Sequence, residues 1–222
     1  MTAGELRSTT DRVGAAYERS PKDAATGMRY ASMLMMGGRN EQALAVMQQV
    51  TIHNPTDRTV LAAYGKALAA AGQLEKALDA IQRAQTPDRP DWELLSAEGA
   101  VLDQMGNPGG ARTAYRKALD IKPDEPSVLS NLGMSYVLAG DLRTAETYLS
   151  SASRQPGADS RVRQNLALVI GLQGRFEEAE QVAVNELSPE QAQANMSYLR
   201  AMLSQDNAWS KLSQDGTARS TN

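Results

Sequence analysis

Five glycines stand in one register, Gly38, Gly72, Gly106, Gly140 and Gly174, each 34 residues from the next. Five residues after each comes an alanine, Ala43, Ala77, Ala111, Ala145 and Ala179. Seven residues before each comes another small residue, Ala31, Gly65, Gly99, Gly133 and Ala167. A fixed period of this length, uninterrupted by insertions, marks a repeat architecture in which each unit buries its apolar face on its neighbours. The segment from Pro126 to Gly157 shows what one unit is. Leu129, Leu132 and Tyr136 form one stripe at helical spacing, and Leu142, Ala145, Leu149 and Ala152 form a second. Gly140-Asp141 separates the two, and Gly133 and Ala145 are small where antiparallel helices must approach closely. The unit reads as a helical hairpin.

These residues resemble the tetratricopeptide repeat (TPR) family, whose 34-residue helix-turn-helix carries small residues and a closing proline at set places. The resemblance covers five units, 24–57, 58–91, 92–125, 126–159 and 160–193, beginning at Ala24, Arg58, Trp92, Pro126 and Ser160. The closing proline appears as Pro55 and Pro123, is displaced by one residue as Pro90 and Pro156, and is replaced by Gln191 in the last unit, where Pro189 precedes it. The fold class that this implies is all-α, a right-handed α-solenoid of TPR helical hairpins. Asn107-Pro108-Gly109-Gly110 lengthens the break inside the third unit and predicts a looser hairpin there. Trp92 opens that unit's first helix after Asp91, an acid suited to the positive end of a helix.

A solenoid need not divide at this size, and a single domain is expected. Its ends need covers. Residues 1–23 carry Leu6, Val13, Ala16 and Tyr17 before Pro21, the pattern of a lone second helix that caps the first unit. Gly14 and the polar run Ser8 to Arg12 weaken that helix, so the alternative is a tail. Residues 189–204 read as a closing helix, with Ala192, Met196, Leu199, Met202 and Leu203 on its apolar side and Ser188 as its cap. Residues 205–222 are polar apart from Trp209 and Leu212 and read as a flexible tail.

Aromatic residues make up 5% of the chain, so the core must be built of Ala, Leu and Met. The first unit alone holds Met28, Met33, Met35, Met36 and Met47, five of the ten methionines. Methionine is the adaptable apolar side chain and is over-used at surfaces that accept varied partners. Met33 and Met47 read as core.

The 23 basic and 26 acidic residues give a net charge of -3, with no run of five or more of one sign. The basic stripe and stacking aromatics of a nucleic-acid binder are missing. Cysteine is absent, which excludes disulfides and thiolate chemistry. No apolar run is long enough to cross a bilayer, and the first twenty residues hold no secretory apolar core. Either the protein is cytoplasmic, or the sequence begins after a removed signal.

Nothing predicts catalysis. There is no phosphate-cradling glycine loop, no metal-ligand spacing and no nucleophile motif, and neither cofactor nor small-molecule substrate is expected. His53 is the sole histidine, and it lies in a turn. Glu177-Glu178 reads as a solvated helix face.

The segment from Ala158 to Gln205 resembles a narrower group, the TadD-like TPR proteins of tight-adherence (Flp) pilus assembly. The residues that carry this are Arg161 to Leu168 (RVRQNLAL), Gly171 to Phe176 (GLQGRF) and Asn195 to Arg200 (NMSYLR). The resemblance implies a binding scaffold that assists the outer-membrane secretin or another pilus-assembly component. Such proteins typically carry a lipoprotein signal and a lipidated cysteine, which would place this one at the periplasmic face of the outer membrane. The alternative is a general cytoplasmic adaptor or co-chaperone holding a peptide segment.

TPR proteins bind partners on the surface lined by the first helix of each unit. At the matching positions stand Met28, Met35, Met36, Lys66, Asn131, Met134, Val137, Leu138, Arg161, Asn165, Leu168 and Leu172, with Arg29, Ser96, Asp103 and Ser130 among their neighbours. The co-chaperone pairing of lysine with asparagine that holds a peptide carboxylate is not reproduced. The lining is largely apolar, and apolar patches of this kind usually mark a partner site.

Overall fold

The computed structural model describes residues 2–86, 88, 90–184, 188, 190–202 and 204. Among these the chain is all helix and turn, with eleven helices from α1 (Ala3–Arg19) to α11 (Phe176–Ala183) and a twelfth, α12, over residues 190–202. The first helices of the five hairpins are α2 (Ala24–Met36), α4 (Arg58–Ala70), α6 (Trp92–Gln104), α8 (Pro126–Leu138) and α10 (Ser160–Leu172), each 13 residues long. Their partners are α3 (Asn40–His53), α5 (Leu74–Ala84), α7 (Pro108–Ile121), α9 (Leu142–Ser153) and α11. The single expected domain resolves into two compact units, residues 1–122 and 123–222.

The repeated glycines end the first helices. Gly38, Gly72, Gly106, Gly140 and Gly174 all adopt φ between +72° and +83°, a region open to glycine and strained for other residues. That conformation lets the next amide reach back to the last turn. Arg39 donates to the Leu34 carbonyl, Gln73 to Leu68, Asn107 to Leu102, Asp141 to Tyr136 and Arg175 to Ile170. This is the Schellman arrangement, and it satisfies carbonyls that the helix end would otherwise leave unpaired.

A second device starts the first helices. Asp23, Asp57, Asp91 and Asp159 accept hydrogen bonds from amides in the first turn that follows. Glu125 holds the same register place, but its longer side chain makes no cap hydrogen bond with the helix and instead accepts from the Ser127 hydroxyl at 2.9 Å. At that place the chain also turns through Asp124 at φ 60°, the sole non-glycine with positive φ among the described residues. Here the first unit ends and the second begins.

Within a hairpin the small residues set the helix spacing. Ala43, Ala77, Ala111, Ala145 and Ala179 are fully buried. A methyl group added at Gly65 would come within 2.6 Å of Ile81, at Gly99 within 2.5 Å of the Tyr115 ring, and at Gly133 within 2.7 Å of Leu149.

Unit 1 holds α1 to α7. Its core joins Leu34, Leu44, Met47, Val50, Leu68, Ile81 and Val101 into one cluster. Residues 3–19 form a helix with a capping box between Thr2 and Glu5, and that helix packs on α2. Gly14 is buried there because Tyr30 occupies the space its side chain would need, and the Tyr17 and Tyr30 rings stand 5.7 Å apart. The second helices vary more than the first. With 11 residues, α5 stops three short of the 14 in α3 and α7, and the Gln85 side chain bridges the longer connection by bonding Asp91 in both directions.

The looser third hairpin is not found. Three residues separate α6 from α7, as in the other four hairpins. Asn107 accepts from the Gly110 amide at 3.0 Å as the cap of α7, and Pro108 takes the first helical place, where its missing N–H costs nothing. The polar stretch starts a helix rather than lengthening a loop.

Unit 2 holds α8 to α12. Leu149, Leu166, Val169, Ile170 and Met196 gather in its core, and Tyr136 stacks on Tyr148 at 5.6 Å. Arg175 ties α9 to α11 by donating to Glu146 at 2.7 Å and to Glu178. Burial raises the Glu146 carboxyl, but hydrogen bonds from Gln173 and Arg175 and the guanidinium charge outweigh it, leaving the group below its usual value. Ser188 and Gln191 form a reciprocal cap before α12. Ala192, Met196 and Leu199 face the core, whereas Met202 does not and is 43% exposed. Pro189, Leu203 and the whole 205–222 tail, with Trp209 and Leu212, lie outside the described residues.

Candidate functional site

In unit 1 the first helices α2, α4 and α6 border a cavity of about 550 Å³. Met28 and Met35 form one wall, and Ala62, Ala63 and Lys66 the other, with Leu94 at the far side. Both methionines are half-buried and rest against the unit's core. The small side chains of α4 are what leave room. The ammonium of Lys66 stands 4.0 Å from the carboxylate of Glu93, with both side chains at least half exposed, so the pair holds weakly and can exchange for a ligand's charge. Lys66 also borders a second cavity of about 350 Å³ floored by Ala69, Ala70, Ala97 and Ala100. Met36 is 58% exposed and lines neither.

In unit 2 the first-helix side is shaped differently. Met134 and Val137 are half-buried against the core, and Asn131 and Leu172 are half-buried too. Leu138 is 70% exposed, Leu168 36%, and Arg161 is exposed. Leu168 lines a cavity of about 260 Å³ with Gln164, Ala167, Asn195 and Tyr198.

Four polar positions depart from a simple groove lining. Asn165 donates to the Ser130 hydroxyl at 3.1 Å, tying α10 to α8, and Ser130 is buried. Ser96 is buried as well. Asp103 accepts from the Tyr115 hydroxyl at 3.1 Å, so it serves the α6–α7 hairpin. Burial, followed by the Asp103 charge and this hydrogen bond, pushes the Tyr115 phenol above its ordinary value. Repeat position told which helix face these residues share, but not which had partners within reach.

Several lining residues were not singled out from the sequence. Glu93 and Leu94 had no individual signal. Tyr198 did, since it lies one further 34-residue step beyond Gln164. Among the described residues no group of three or more His, Cys, Asp or Glu is placed to hold a metal ion. His53 is the last residue of α3 rather than a turn residue, and its Nδ1 lies 2.9 Å from the Gln49 carbonyl oxygen. What the arrangement offers is apolar burial beside a few exchangeable charges.

A tetratricopeptide repeat family model matches residues 34–98 and 104–169, and a second matches 160–184. The chain belongs to the tetratricopeptide repeat family, and its stacked helical hairpins form a protein-interaction scaffold of a generally non-catalytic kind. Comparison with curated protein sequences gives no match. Among solved structures, the fold is similar to that of TTC0263, a thermophilic TPR protein of Thermus thermophilus, with 20% identity and a TM-score of 0.68 over 81% of this chain and 100% of that one. It is similar to PilW, a type IV pilus biogenesis factor, with 18% identity and a TM-score of 0.66 over 90% of this chain and 91% of that one. It is similar also to YrrB, a TPR protein with an unusual peptide-binding site, with 17% identity and a TM-score of 0.52 over 84% of this chain and 97% of that one.

Proposed function

We propose that the chain is a non-catalytic scaffold of Flp (tight-adherence) pilus assembly that grips a protein partner, the outer-membrane secretin, on its first-helix surfaces. The observation that carries binding is the cavity of about 550 Å³ walled by Met28, Met35, Ala62 and Ala63, apolar inside and flanked by the Lys66–Glu93 pair. Hiding such a wall from water stabilises a complex by about 25 cal/mol per Å², and the two methionines adapt to more than one ligand shape. The pilus assignment rests on the TadD-like residues from Arg161 to Arg200, and PilW, whose fold this chain shares, is itself a pilus biogenesis factor.

No helix among the described residues is long and apolar enough to cross a membrane. In this reading the scaffold works at the periplasmic face of the outer membrane, tethered through a lipoprotein signal upstream. The second reading, a cytoplasmic adaptor holding a peptide segment, draws on the same cavity and on the peptide site of YrrB.

Affinity capture of a tight-adherence secretin by the full chain tests the first reading. Ala62→Gln combined with Lys66→Glu is expected to abolish capture while leaving the helical circular dichroism and Tm in place. A folded chain that never captures secretin, or one captured equally well with that cavity altered, overturns the proposal. Capture of cytosolic peptides alone would favour the adaptor.

A further inference from the structure

The first helices of unit 2 carry a surface unlike that of unit 1. No charged residue occurs in α8, and α10 has two, Arg161 and Arg163, both basic. Arg163 donates to the Ala158 carbonyl at 2.9 Å, in the connection between α9 and α10. Arg161 is exposed and makes no ion pair with a described residue. The acid of α12, Glu190, is hydrogen-bonded to Ser188. With Glu190 ionised, α8, α10 and α12 still carry more basic residues, Arg161, Arg163 and Arg200, than acidic ones, and Arg161 is available to an outside anion.

Its apolar residues are arranged in step. Along α10, Arg161, Gln164, Leu168 and Leu172 recur at three and four residues, so the row runs from a charged end to an apolar one. Leu138 on α8 and Tyr198 on α12, each 70% exposed, extend that apolar end across the neighbouring helices. Helices α8 and α10 touch, and Leu199 of α12 closes on Gly171 of α10. Packed helices lie about 8–10 Å apart, so anchors on neighbouring helices of this face are spaced on the order of 10 Å. Two turns of an α-helix advance about 10.5 Å and return to the same face. An extended strand returns to one face at about 6.7 or 13.4 Å and misses that step.

We infer that this ledge docks an amphipathic helix of a partner protein, with apolar residues seven apart on Leu138, Leu168 and Tyr198 and an acidic residue meeting Arg161. The inference rests on the scaffold reading and names the partner's chemistry on unit 2. A strand-forming segment is disfavoured by the spacing, and a basic helix by Arg161. Met202, 43% exposed beside Tyr198, widens the apolar part.

The test uses the full chain and three fluorescein-labelled model peptides of about 20 residues, long enough for three anchors. One is an amphipathic helix with leucines seven apart and glutamates flanking them. The second replaces glutamate by lysine, and the third interrupts the first with prolines. Fluorescence anisotropy at low salt is expected to show the glutamate peptide binding about ten-fold more tightly than the lysine peptide, with the proline peptide inactive. Arg161→Glu should reverse the charge preference. Leu138→Glu with Leu168→Glu should abolish binding of all peptides while circular dichroism stays unchanged, since both side chains are exposed. Equal binding of the three peptides, binding that survives the double leucine change, a preference indifferent to Arg161→Glu, or no binding at all overturns the inference. Secretin capture read in parallel separates the two ideas: if capture persists while the peptide pattern fails, the scaffold reading stands and the ledge falls.

Discussion

Unit 1 and unit 2 are built on the same 34-residue register and differ in what they leave at the surface. The first-helix side of unit 1 pairs charge with charge, Lys66 with Glu93, at a cavity of about 550 Å³ walled by methionine and alanine. That of unit 2 has a smaller cavity, no acid on α8 or α10, and leucines that stand in water. The hairpin-forming residues are common to both, so the fold places no demand on the rest. Surface character in a repeat protein can then change from one unit to the next without disturbing the stacking.

The sharpest way to break the comparison is to remove packing from one side. Leu149 is fully buried against Gly133. Leu149→Ala should cost about 2–5 kcal/mol. Hydrogen exchange should then rise in α8 to α12 and stay protected in α2 to α5. Uniform loss across all helices would show that the two units melt as one.

Gly99→Ala comes next. In unit 1 a methyl at this place meets the Tyr115 ring, which is buried and held by Asp103, so the helices must part at a cost of about 1–3 kcal/mol. Pairing it with Tyr115→Leu should recover part of the loss in urea midpoints, because the two changes share one space. Simple additivity would mean that the contact does not set the helix spacing.

Acid should act on unit 2 through Glu146. Its carboxyl titrates lower in the folded chain than the ordinary value of about 4.3, so the stability it contributes is present above that pH and is lost as pH falls through the folded value. Glu146→Gln is expected to lower Tm at pH 7 by more than it does at pH 3, the difference shrinking as pH falls through the folded value. A Tm difference constant across that range would remove the Arg175 link as its cause.

The smallest effect tests the boundary. At Glu125 the backbone already has the extended cap conformation seen at Asp57. Glu125→Asp should therefore supply the missing cap and stabilise α8 by about half a kcal/mol, while Asp57→Ala costs about 1 kcal/mol in unit 1. No change in the unfolding midpoint of unit 2 would show that the Ser127 hydroxyl already satisfies that end.

Hairpins, turn glycines and small interface residues were legible because each is a one-residue requirement repeated in register. The aspartates at 23, 57, 91 and 159 were equally periodic, yet only Asp91 was singled out, since acids are common and a cap is defined by the amide it meets. Asn107-Pro108-Gly109-Gly110 was misread because turn residues and helix-start residues are the same types, and only the backbone decides between them. Site positions were legible as to helix face. The inward bonds of Asn165 and Asp103 were not, because they depend on partners 35 and 12 residues away.

Among α1 to α11, every pair of helices in contact is adjacent or next but one along the chain. Nothing near the start waits for anything near the end. Synthesis at about 5–20 residues per second gives each 34-residue stretch roughly two to seven seconds on the ribosome, whereas helical structures with local contacts form in microseconds to milliseconds. Each hairpin can thus close and find its predecessor already folded before the next emerges. A nascent chain of this kind exposes about one hairpin's worth of unburied apolar surface at a time, however many repeats follow.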